Sequence, residues 1–390
     1  MINLNRHDIL IFLLGVMSMP LAWWGRSHLF SAWRSSPRAT AFMALLTAIG
    51  IAASFGRDTS AALAAMVLLP FLSAGIAGMA TYATVKSDKK LSLHFYWAFS
   101  LLTPLALAYP FFLESIRDVV EYKDLQNLLP GFGNIRHIDK INLVVACIMG
   151  AWIMTDCEDH SFGRYLRYPY LLTSMTMLFW GGSRGALISF IIAMIVVVVT
   201  TRRFKIKGVV KFISIFIASA ISSTLFYRPH LAFGSIQRLI ETDVETLDQI
   251  STGRVELWKD AFEFALQSPW VGYGPLQYVR FPLAFYHPHN QIIETLFSYG
   301  FALGSVMIVA FIALVWRAFR GLKDIDDETR LVLAPAVSIV TGLIVWSMFG
   351  SMYFAPLIML LIAMALSIGL ALRDTAEPAK VMSTPMRNKQ

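Results

Sequence analysis

The chain has 390 residues, of which 56% are hydrophobic and only 15% are charged. A soluble globular protein carries roughly 25% charged residues, so this balance excludes a soluble enzyme or binding module and indicates an integral membrane protein. The formal net charge of +8 is expected mainly in cytoplasmic loops and does not indicate nucleic-acid binding, and the two cysteines, Cys147 and Cys157, form neither a disulfide framework nor a CxxC motif.

Apolar runs long enough to span a bilayer lie near residues 9–24, 38–54, 60–84, 92–112, 139–155, 167–182, 185–201, 208–226, 291–316, 331–350 and 353–372. Backbone polar groups in hydrocarbon must be paired within the segment, so these runs are expected to be helices. The fold class expected is an all-α polytopic membrane protein with about 11 transmembrane helices, 10 to 12 being admitted by the same length criterion. The first run ends in "PLAWWGR" without a small-residue cleavage site and reads as a retained span. The expected division is N-terminal transmembrane helices over 1–226, a periplasmic loop or lid over 227–290, C-terminal transmembrane helices over 291–372 and a disordered cytoplasmic tail over 373–390.

Sidedness follows from the basic residues. Arg202, Arg203, Lys205, Lys207 and Lys211 form the strongest cluster and are expected in the cytoplasm. Alternation then puts Lys86, Lys89 and Lys90, Arg317, Arg320 and Lys323, and the C-terminal tail on the same side. The loop 227–290, the turn "GGSRG" at 181–185 and Arg57 fall on the opposite, outer face.

The outer loop is too long for a mere connection. Within it, "STGRVELWKDAFEFALQSPW" reads as an amphipathic helix: Ser251 or Thr252 can cap it, Val255, Trp258, Phe262 and Ala265 repeat at helical spacing, and Ser268–Pro269 stop it. "VGYGPLQYVRFPLAFYHPHN" cannot be a regular helix, and its Gly272 and Gly274 permit tight turns against a ligand or a neighbouring helix. The loop is expected to form a folded lid on the membrane surface.

Three residues stand out chemically. Arg184 sits at an apolar hairpin tip, where a cation either snorkels to headgroups or marks a functional site; Gly181, Gly182 and Gly185 would let phosphate oxygens approach backbone N–H groups. Arg254 falls on the first turn of the loop helix, where a cation opposes the helix dipole; a shared anion would remove the conflict, and a solvated surface arginine is the plain alternative. His289, between Pro288 and the helix-capping Asn290, is held from both sides and can accept a proton near neutral pH, unless it serves only as a cap. His287 is its rival, and Asn290, Arg57 and Trp258 are supporting candidates. No metal site is expected, since "HPH" has no third ligand beside it in sequence and Asp243 and Glu245 read as a solvated face. No Walker loop, GxSxG elbow or HExxH helix is present.

The segments "SRGA" (183–186), "STGRVELWKDAF" (251–262) with "SPWVGYGP" (268–275), and "YHPHNQIIETLFSYG" (286–300) together resemble the O-antigen ligase/polymerase superfamily of bacterial polytopic glycosyl-transfer enzymes. The resemblance implies transfer of a glycan from undecaprenyl diphosphate to an acceptor hydroxyl on the periplasmic face of the inner membrane, inverting, metal-independent and without a cofactor. It implies that Arg184 and Arg254 bind the diphosphate and that His289 takes or orients the acceptor proton. Membrane lipids, the carrier-linked glycan and lipid A–core are the partners implied by a ligase, the leading reading. A polymerase extending carrier-linked glycan is the alternative, since residues 113–138 make a second outer loop. A transporter is disfavoured because no internal repeat is visible and the polar residues gather at one face.

Overall fold

The structure, a computed structural model, describes residues 61–115, 136–155, 163–202, 205–226, 254–275, 277–280, 288–320, 325–350 and 356–382. The helices are α1 (Ala61–Ser87), α2 (Leu91–Ser100), α3 (Thr103–Ser115), α4 (Arg136–Thr155), α5 (Gly163–Trp180), α6 (Arg184–Thr201), α7 (Ile206–Ser222), α8 (Arg254–Gln267), α9 (Gln291–Phe319), α10 (Asp327–Ser347) and α11 (Pro356–Met382). Among the described residues, six helical segments are long and apolar enough to cross a membrane: 138–155, 184–201, 206–225, 291–319, 327–347 and 357–375. The expected spans at 9–24 and 38–54, and Arg57, lie outside the described residues, as do His287, Asp243, Glu245, Cys157 and the caps Ser251 and Thr252.

The span expected over 92–112 is two helices. Pro104 has no N–H to donate to the Ser100 carbonyl, so the chain turns at Leu101 and Leu102 and restarts at Thr103, with Pro104 in the first turn, where no helical donor is required. At the other end of the chain, α11 runs past Arg373 to Met382, into the segment expected to be a disordered tail. Its continuation is anchored: the Tyr82 hydroxyl donates to Asp374 at 2.6 Å and Arg373 Nη1 donates to the Arg317 carbonyl at 2.9 Å.

Helix α4 is the central member, with most of its span buried against α5, α6 and α10. Pro335 within α10 removes the backbone donor that would satisfy the Leu331 carbonyl one turn earlier. In a dry interior that carbonyl needs another partner, and Trp152 of α4 supplies it, its Nε1 donating to Leu331 O at 2.8 Å. The Tyr96 hydroxyl donates to the neighbouring Val332 carbonyl at 3.0 Å. Trp97 and Tyr96 pack on the Trp152 ring, with centroids 5.2 and 6.0 Å away, so the short α2 is fixed to the turn of α10 that precedes Pro335.

Lys89, Arg317 and Arg373 gather at one end of this bundle. Lys89 Nζ lies 3.3 Å from Asp326 and 3.2 Å from Glu328, joining the turn after α1 to the start of α10. The bonds of Tyr82 and Arg373 add the C-terminal ends of α9 and α11 to the same end. The far end of α10 meets the start of α6, because a Cβ on Gly185 would lie 2.9 Å from Phe349. Arg184 therefore lies at the end opposite Lys89, Arg317 and Arg373, whereas the first part of α9 folds back at Gly300, so that a Cβ on Gly304 would lie 3.3 Å from Leu296 Cα.

Asp326 caps α10, its carboxylate accepting from Thr329 N at 2.8 Å. Partial burial pushes this carboxyl up, but the Thr329 hydroxyl and N–H donors and the Lys89 ammonium outweigh it and hold it below the usual carboxylate range. Its contribution is complete above the unfolded carboxyl pKa of about 4 and is lost as pH falls through the lower folded value. Asp326→Asn is expected to change stability by less than about 1 kcal/mol at neutral pH, because Asn also caps and exposed pairs contribute little. It should also flatten the loss below pH ~4, which thermal unfolding over pH 3–7 would read.

Candidate functional site

The turn Pro288–Asn290 is built by bonds from both sides. Asn290 takes an extended backbone and its side-chain oxygen accepts from Ile292 N at 3.0 Å and Ile293 N at 3.2 Å, the expected cap of α9. On the other side, Trp258 Nε1 donates to the buried Pro288 carbonyl at 2.7 Å. His289 between them is half-buried and has a left-handed backbone, φ 52°. A non-glycine residue rarely adopts that conformation, and its strain is held here by the capped helix and the Trp258 bond.

Arg254 is the first residue of α8 and stands one turn before Trp258 on the same side of the helix. The Trp258–Pro288 bond therefore brings Arg254 and His289 into one unit. Its small core consists of Leu257, Ala261 and Ala265 of α8 with Tyr278 and Phe297. Of the apolar repeat Val255, Trp258, Phe262 and Ala265, only Ala265 is in this core; Val255 and Phe262 are exposed, and Leu257 and Ala261 pack beside Ala265. Burial, with the Asp260 and Glu294 carboxylates nearby, pushes the Tyr278 hydroxyl well above its usual range; that hydroxyl points to the Leu257 carbonyl at 3.5 Å.

The segment after α8 docks into a break in α9. Gly300 has φ 74° inside the helix, which frees the Phe297 and Ser298 carbonyls and the Ala302 amide from helical pairing. Tyr273 N donates to Phe297 O at 3.0 Å, Gly274 N to Ser298 O at 2.9 Å, and Ala302 N to Pro269 O at 3.1 Å. Gly272, also with positive φ, fits because a Cβ there would lie 2.5 Å from Gly300 N. Of the two roles open to Gly272, approach to a neighbouring helix is the one the structure uses.

Arg184 is the first residue of α6, at the hairpin tip after α5, and the next residues of that helix, Ala186 and Leu187, belong to the main packing cluster. Two of the glycines expected to admit phosphate are instead filled by the chain itself. The buried Asp139 carboxylate lies against Gly181, where any Cβ would overlap it, and Phe349 lies against Gly185. Asp139 was not singled out in the sequence; an acidic residue at the edge of an apolar span was the available signal. Arg184 and Arg254 thus each head a helix, a placement unfavourable for a cation unless an anion is shared with the helix N-terminus. Among the described residues no group of His, Cys, Asp and Glu is arranged to hold a metal.

The described helices thus carry a histidine with a left-handed backbone and two arginines that each head a helix. Residues 169–309 match the family described as O-antigen ligase, and the matched stretch contains Arg184, Arg254 and His289. No curated protein matches the chain.

Proposed function

We infer that the protein transfers a glycan from undecaprenyl diphosphate to an acceptor hydroxyl, with lipid A–core as the acceptor, on the periplasmic face of a bacterial inner membrane. What supports this reading is the match of residues 169–309 to the O-antigen ligase family, a stretch that contains Arg184, Arg254 and His289. The positive-inside rule makes the basic end cytoplasmic and the other end periplasmic.

In this reaction the acceptor oxygen attacks the anomeric carbon as the bond from that carbon to the phosphate oxygen breaks. His289 takes the hydroxyl proton, and the electron pair leaves with undecaprenyl diphosphate. Arg184 and Arg254 neutralise the charge building on the departing diphosphate by bidentate contacts. Attack from the face opposite the leaving group inverts the anomeric configuration. The diphosphate leaves readily once paired with guanidinium groups, so the step calls for no metal, and transfer in excess chelator is the expected result.

The test uses purified protein in lipid with carrier-linked glycan, with and without lipid A–core. Glycan appearing on lipid A–core supports the ligase reading. Lengthening of carrier-linked glycan without lipid A–core would replace it with a polymerase, and passage of substrate across the bilayer without product would replace it with a transporter. Trp258→Phe keeps the aromatic packing but removes the donor to Pro288 O. It is expected to lower the transfer rate about tenfold to a hundredfold, as small misplacements of reacting groups do, with the protein still folded in the membrane.

A further inference from the structure

Helix α8 has three faces. Leu257, Ala261 and Ala265 form the buried one, and Glu256, Asp260, Glu263 and Gln267 form a polar one. Between them Val255, Phe262 and Leu266 stack within about 40° on the helix circumference, yet they are 46, 43 and 55% exposed. The patch continues past the helix, where Trp270 is 76% and Val271 53% exposed. Isolated apolar residues on a surface are ordinary, but a continuous patch of this kind marks an interaction surface.

Its height along α9 says what covers it. Phe262 meets the Phe301 ring with centroids 5.2 Å apart, and Pro269 accepts from Ala302 N, so the patch lies beside residues 300–302 of a helix long enough to cross the bilayer. Farther along α9, Val306, Val309, Ile312 and Trp316 are exposed, as lipid-facing residues of a span would be. Trp316 and Arg317 are the residue types that anchor a span at its boundary. From Trp316 back to Ala302 the helix rises about 21 Å, well inside a hydrocarbon layer of about 30 Å. The patch is therefore continuous with the lipid-facing stripe of α9 and lies at acyl depth.

We propose that α8 and the following Ser268–Val271 form a wedge in the leaflet opposite the basic end, with Val255, Phe262, Leu266, Trp270 and Val271 inserted among lipid acyl chains. The exposed Lys259, at the edge of the patch, extends its ammonium to the headgroup phosphates. The wedge holds Arg254 near headgroup depth, and it stands independently of the glycan-transfer reading because it concerns only where the loop sits.

The test places an environment-sensitive fluorophore at Leu266→Cys, Trp270→Cys or Gln267→Cys in full-length C147A/C157A protein in phospholipid nanodiscs. Lipids carrying a nitroxide on the acyl chain should quench the label at positions 266 and 270 several-fold more than at 267, and aqueous iodide should show the reverse order. Equal iodide quenching at all three positions would put the patch in water and overturn the proposal. Resistance of 266 and 270 to both quenchers would overturn it differently, since a protein surface, such as a second copy of the chain, would then cover the patch.

Discussion

His289→Ala is expected to lower glycan transfer by a factor of about 10² to 10⁴, the usual contribution of a positioned acid or base. The substitution changes two things at once. It removes the imidazole, and it asks alanine to hold a left-handed backbone at φ 52°, which costs roughly 1–2 kcal/mol more than for glycine. His289→Gly separates them, because glycine adopts that backbone freely and carries no imidazole. Both variants should lose transfer alike, while His289→Gly keeps the thermal stability of the wild type more nearly than His289→Ala does. If His289→Gly transfers glycan at the wild-type rate, the residue serves only the shape of the turn and the proton-accepting role is wrong. Initial rates with lipid A–core, measured beside unfolding curves for the same preparations, decide this.

Much of this site was legible because it rests on local chemistry. The cap by Asn290, the start of the loop helix near Arg254 and its end before Ser268–Pro269 follow from residue types and neighbours alone, and the structure has them there. The alternation of basic loops along the chain gives the further expectation that Arg184 and His289 face the same side. What periodicity could not give is which partner a helix meets. On α8 the apolar residues cover more of the circumference than a single packed stripe, so Val255 and Phe262 were as credible for the core as Leu257 and Ala261. Small residues settle it in the structure: Ala261 and Ala265 let α8 approach α9 closely, while Phe262 stays partly exposed with its ring edge-on to Phe301. Asp139 against Gly181 and Trp152 beneath Pro335 are likewise contacts between helices distant in sequence, and no local pattern predicts them.

Gly300→Ala is expected to destabilise the protein by about 3–5 kcal/mol, the sum of a forced left-handed alanine and the loss of hydrogen bonds worth roughly 1 kcal/mol each. The added methyl would lie 2.7 Å from the Pro269 carbonyl oxygen and 2.7 Å from Trp270 C, both of them backbone that no rotamer change can move aside. Alanine also favours a continuous helix, in which the Phe297 and Ser298 carbonyls pair within α9 and no longer accept from Tyr273 and Gly274. The docked segment would then leave the helix, which should appear as new protease cleavage within 268–275 and a lowered unfolding temperature in nanodiscs. Gly304→Ala is the control on the same helix: its Cβ would lie 3.1 Å from the Thr295 carbonyl, with no special backbone conformation required, so a smaller loss is expected. Equal losses for the two variants would mean that close packing along α9, and not the break at Gly300, sets the stability. If Gly300→Ala alone frees the segment, transfer should fall with it, because α8 carries both Arg254 and the Trp258 that holds the His289 turn, and α8 is tied to α9 through the docked segment as well as through its small core.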